Sequence, residues 1–217
     1  MGKIPAIQPS DNDGQPNPSD NSFNKLLAIL RDKDYSYLGY DKIIKKILEE
    51  LRSGKLQLKL AQQEVLVNIL RDANIPNFES KSTTIVEILA ITKSDNAISP
   101  IIAWTDEHFG EVWGEEIGWG EDFDHSVAFE ALSTIGNQEA VEYLMSHARQ
   151  EKGNYSSQWD ALYHLGELEG IDYRVMEEVC NFLLTFSEQN YDEFGHCALQ
   201  SYNKLKYGTP REEYSDL

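Results

Sequence analysis

The residues with chemical potential are few and scattered. Five histidines occur, at His108, His125, His147, His164 and His196, and two cysteines, at Cys180 and Cys197. A metal site needs several of these side chains, or carboxylates, converging on one point. The densest run is Glu121, Asp122, Asp124 and His125. Only Asp122 and Asp124 alternate, so the regular spacing of a helix–loop–helix calcium site is missing. The sequence therefore predicts no resident metal and no cofactor. Cys180 lies among apolar residues, between Val179 and Phe182, where a thiol behaves as a small core side chain. No Gly-x-Ser-x-Gly, phosphate-cradling glycine loop or Cys-His signature is present. Carboxylate pairs such as Glu115-Glu116 and Glu177-Glu178 are adjacent, and adjacent residues of a helix point in different directions. No catalytic residue is assigned, and the reading is that the protein is not an enzyme.

A second group of residues suits recognition. The stretch Phe109 to Asp124 contains Trp-Gly-Glu twice, at Trp113 and Trp119, among Glu115, Glu116, Glu121 and Asp122. Indoles supply large contact areas at low entropic cost. Glycines admit turns closed to other residues, and the carboxylates suit a partner bearing Lys or Arg. A competing reading has both tryptophans folding back to plug a gap between neighbouring helices.

Charge sharpens this view. The chain carries 19 Lys and Arg against 37 Asp and Glu, a net charge of −18. Residues 1–75 hold 11 basic and 10 acidic residues, so nearly all the excess falls in residues 76–217. Such a half repels a phosphate backbone and excludes nucleic acid, but attracts a basic protein. Acidity also simply favours solubility. The cluster Lys42, Lys45, Lys46, Arg52, Lys55 and Lys59 reads as a solvated, mildly basic face.

The elements that must position these groups are helices. Alternating β-branched runs are absent, and no Asn-Gly or Asp-Gly lies between two such runs as a hairpin turn, while helical spacing recurs throughout. Residues 1–21, dominated by Pro, Asp, Asn, Gly and Ser, read as a disordered arm. Residues 22–75 form an N-terminal helical cap: helices are predicted over Ser22–Arg31, Asp41–Arg52 and Lys55–Ala73. Pro76 marks the boundary to a repeat domain over residues 76–217, with 109–124 as an inserted loop. Two isolated cysteines, a polar N-terminus and no long apolar span point to the cytoplasm and away from a membrane.

From Ser82 the chain repeats itself. Glu87-Ile88-Leu89 aligns with Glu130-Ala131-Leu132, then with Asp160-Ala161-Leu162, and in part with Cys197-Ala198-Leu199. Each unit reads as a first helix, a short polar turn and a second amphipathic helix, the second helices running Asn96–His108, Gln138–Lys152 and Tyr173–Glu188. Residues Ala128 to Leu144 resemble a HEAT repeat of the short bacterial type, with Ala at the close approach, Gly136 ending the first helix and Ala140-Val141 opening the next core face. The resemblance extends over roughly residues 82–206 and implies an all-α fold, an α-solenoid of HEAT-like helical hairpins. Related activities do not carry over easily. Deoxyhypusine hydroxylases of this type bind iron through His-Glu pairs, and no His-Glu dipeptide occurs here. HEAT-like DNA glycosylases need a basic channel. Phycobilisome-associated bilin lyases share the repeat without a motif that tests the likeness.

The resemblance and charge together imply a non-catalytic scaffold or adaptor. It would engage a basic protein partner through Trp113, Glu115, Glu116, Trp119, Glu121 and Asp122 in the loop, and through Glu139, Glu142, Glu177 and Glu178 on the second helices. An acidic inhibitor or immunity-type protein that neutralises a basic nuclease or toxin is the alternative. A HEAT-like enzyme or bilin-lyase-like cofactor carrier is the third reading.

Overall fold

The computed structural model describes residues 18–33, 37–110, 123–149 and 155–208. Among them the chain forms ten α-helices and no strand. These are α1 (Pro18–Arg31), α2 (Tyr37–Arg52), α3 (Leu60–Asp72), α4 (Glu79–Ile91), α5 (Ile98–Gly110), α6 (Phe123–Ile135), α7 (Gln138–Ala148), α8 (Tyr155–Leu165), α9 (Tyr173–Gln189) and α10 (Glu193–Tyr207). The all-α expectation holds. None of the helices is long and apolar enough to cross a membrane.

Several boundaries move for identifiable reasons. Helix α1 starts at Pro18, so the end of the expected disordered arm is helical; residues 1–17 lie outside the described residues. Residues 55–59 do not join α3. Gly54 takes a positive φ of 69°, the Leu56 N–H turns back to the Glu50 carbonyl, and Leu56 and Leu58 are buried two residues apart. Alternation at period two is the spacing of extended chain, which a helical count misreads. A single 3₁₀ turn, Asp95–Ala97, precedes α5, and α7 ends at Ala148 rather than at Lys152.

Local chemistry fixes the later helix starts. The Asn137 side chain accepts the Ala140 N–H at 3.0 Å, Asp172 accepts from Arg174 at 2.8 Å, and Asp192 accepts from both Phe194 and Gly195 at 3.1 Å. Each satisfies donors that the first helical turn leaves open.

Helices touch in alternation. Contacts link α2 to α4, α4 to α6, α6 to α8 and α8 to α10; a second series links α3 to α5, α5 to α7 and α7 to α9. The two series are tied by α3–α4, α5–α6, α7–α8 and α9–α10. One apolar cluster runs from Phe23 to Ala198 through all of them. The repeat positions read from the sequence supply its centre: Leu89, Leu132, Ala161, Leu162 and Ala198 are fully buried, and Ala131 is nearly so. Each large aliphatic side chain removed from water in this way contributes about 1.5–3 kcal/mol before the entropy of ordering is subtracted.

Two devices lock the helices together. Gly166, just after α8, lies against α10: a Cβ there would stand 2.7 Å from the Ser201 Cα, so only glycine permits this approach. At the other end, Lys81 of α4 is completely buried. Its ammonium donates to the carbonyls of Leu30 at 2.8 Å, Asp32 at 2.7 Å and Pro76 at 2.8 Å. A buried cation is tolerated only when its donors are satisfied. This one joins the end of α1 and the α3–α4 turn to α4.

Candidate functional site

The row α5, α7 and α9 carries seven carboxylates and one arginine within its helices. Glu139 occupies the first turn of α7, where it favours the positive end of the helix dipole, and accepts the Ser99 hydroxyl of α5 at 2.8 Å. Glu142, one turn further, accepts the Gln138 amide at 2.8 Å. The Tyr143 hydroxyl of α7 donates to Asp106 of α5 at 2.7 Å. Burial and that carboxylate raise its pKa far above the usual phenol value. Glu177 and Glu178 are exposed on α9. They diverge as adjacent helical residues must: Glu178 lines a cleft of about 790 Å³ and Glu177 does not. In that cleft the Arg149 guanidinium stands 4.7 Å from the centroid of the Phe182 ring, beside Phe186 and Phe194. The structure thus puts Glu139 and Glu142 on one helix and Glu177 and Glu178 on its neighbour in the row. Trp113, Glu115, Glu116, Trp119, Glu121 and Asp122 lie outside the described residues.

A second cleft, of about 600 Å³, lies between α6 and α8. It was not singled out in the sequence. Glu130, Ser133 and Thr134 come from α6; Trp159, Asp160, Tyr163 and His164 come from α8; Glu167 and Glu169 follow it. No lysine or arginine is among its lining residues. Glu167 pairs with Lys204 of α10, whose Nζ also lies 5.8 Å from the Tyr163 ring centroid. His164 is 6% exposed, and its Nδ1 has no hydrogen-bond partner among the described residues. Burial pushes its pKa down to about 4, against the pull of Glu167 and with the help of Lys204. The ring is therefore neutral at physiological pH. The spacing held the clue: Trp159 and Tyr163, and likewise Asp160 and His164, are four residues apart and share helix faces. That α6 supplies the opposite wall follows only from the packing of alternate helices.

The remaining reactive groups are muted. Cys180 and Cys197 are buried free thiols. Burial raises both pKa values, that of Cys197 to about 11, so neither is a thiolate at neutral pH. His147 lies against Tyr143 at 4.6 Å and Phe129 at 5.2 Å between ring centroids, and burial lowers its pKa. Among the described residues no group of three or more His, Cys, Asp or Glu side chains is arranged to hold a metal. The side chains of Asp124 and His125 lie outside the described residues.

Comparison with known proteins places no relative beside this chain: no family model matches it, and no curated protein or solved structure matches it significantly.

Proposed function

We propose that the chain is a short HEAT-like α-solenoid that serves as a recognition scaffold for a basic protein. The alternating contacts of α2–α4–α6–α8–α10 and α3–α5–α7–α9 support the solenoid reading. In a stack of this kind each helical hairpin meets only its neighbours, and the outer surface of each row is free for binding. The observation that carries the functional reading is the composition of one row: α5, α7 and α9 hold seven carboxylates and a single arginine. Glu139, Glu142, Glu177 and Glu178 are all exposed there. A field of one sign steers an oppositely charged partner and suppresses wrong ones. The cleft beside Glu178 adds an apolar floor of Phe182, Phe186 and Phe194, the kind of pocket in which an interface anchor is seated.

The test is affinity capture from the producing cells with the wild-type chain and with the charge-reversed variant Glu139→Lys, Glu142→Lys, Glu177→Lys, Glu178→Lys. Captured proteins are expected to be basic, to be lost in the variant and to elute as salt shortens the screening length. Identical capture by the two chains refutes the proposal. Because the four side chains are exposed, the variant is expected to fold, which circular dichroism checks.

A further inference from the structure

The α6–α8 cleft lies in the other helical row and uses none of the four glutamates just discussed. Its lining residues combine three features. The first is charge: Glu130, Asp160, Glu167 and Glu169 contribute four carboxylates, with no cation among the lining residues. Glu130 and Glu169 are exposed and form no ion pair among the described residues. The second is aromatic surface. Tyr163, 49% exposed, and Trp159 both line the cleft; ring faces attract an ammonium through their quadrupole. The third is His164, more than nine-tenths buried, which lines the same cleft and whose Nδ1 has no hydrogen-bond partner among the described residues. A buried polar atom without a partner is uncommon.

The molecule already supplies an example of the ligand. Lys204 of α10 reaches this cleft's edge and sets its ammonium between the Glu167 carboxylate and the Tyr163 ring. Glu130, Glu169 and Trp159 line the same cleft and offer carboxylate and aromatic surface again, without a cation from the chain among the lining residues. We propose that the α6–α8 cleft is a socket for a lysine side chain of a partner protein, its ammonium taken up by Glu130 and Glu169 and its methylene stem laid along Trp159. The volume suits that ligand: about 600 Å³ exceeds one side chain and leaves room for flanking backbone.

The probe is the capped peptide acetyl-Gly-Lys-Gly-amide, titrated into the full chain while the Trp159 indole resonance is followed by NMR. Saturable shifts are expected, with the peptide acetylated at Nζ giving none. The Glu130→Gln, Glu169→Gln double variant is expected to lower affinity at least fivefold; both residues are exposed, so folding is not in question. The Glu177→Gln, Glu178→Gln variant is expected to bind the peptide as wild type does. Equal shifts with the acetylated peptide, no shift with either, or undiminished binding in the Glu130/Glu169 variant would each overturn the socket. Since the second-helix row is untouched here, the socket and the scaffold surface stand or fall separately.

Discussion

Replacing His164 with leucine should flatten the acid limb of the chain's stability curve. His164 is 6% exposed, and its pKa falls from 6.5 to about 4 because burial disfavours the charged ring. The charged groups facing it pull both ways: Glu167 favours protonation and Lys204 opposes it, with Glu130, Asp160 and Glu169 around the same cleft. The unfolded chain binds a proton near 6.5, whereas the folded chain refuses it until about 4. The neutral ring therefore has its full effect above pH 6.5, and stability drains away as pH falls from there toward 4. Integrating that difference between pH 7.5 and pH 5 gives a loss of about 2 kcal/mol specific to this residue. Urea denaturation of wild type and His164→Leu at both pH values isolates it, because every other titrating group is common to the two chains. At pH 7.5 the variant should be close to wild type in stability, since leucine is of similar size and leaves no polar atom orphaned. At pH 5 it should be the more stable by about 2 kcal/mol. Two curves that fall in parallel would refute the reasoning, for the buried imidazole would then be protonating as freely as in the unfolded chain.

Three further outcomes follow from the packing and capping. Lys81→Met removes the donor to three carbonyls and should lower stability by roughly 3 kcal/mol, with α1 the first element to lose amide protection in hydrogen exchange. Gly166→Ala drives a methyl group into the Ser201 backbone; a loss of about 1–3 kcal/mol is expected in thermal denaturation, and it reports the clash alone because Gly166 is not among the glycines with positive φ. Asp192→Ala deletes the acceptor for two N–H groups at the start of α10 and should cost about 1 kcal/mol by urea midpoint, while Asp192→Asn should recover most of it.

The helices were legible because apolar residues recur at helical spacing over long runs. Leu89, Leu132 and Leu162 align in the sequence, and each is fully buried in the C-terminal half of its own helix. Residues 55–59 escaped because two leucines in extended chain mimic a helix edge when the next helix follows at once. Lys81 escaped for a different reason. Its three acceptors lie 51, 49 and 5 residues away, and no local pattern marks a lysine as interior. The site was less legible than the fold. Exposed carboxylates such as Glu139 and Glu177 can be placed on a helix by counting, but a cleft is made by two helices. Trp159 and Tyr163 share a helix face at a spacing of four that attracted no notice, and Glu130 joins them only through the α6–α8 contact. Hydrophobic periodicity reports which side of a helix faces inward and is silent about which neighbour it finds there.

The buried ammonium of Lys81 also offers a way to time the molecule's opening. Amine-acylating reagents attack a lysine only when its nitrogen is accessible and its lone pair is free. At residue 81 the side chain is wholly shielded and its N–H groups are held by three carbonyls. The label can enter only after the end of α1 lifts away from α4. Where reclosure outpaces acylation, the ratio of its labelling rate to that of an exposed lysine such as Lys46 gives the equilibrium for that local separation. A mass spectrum of a single peptide would then follow how tightly the first helix clings, before the remaining helices have begun to melt.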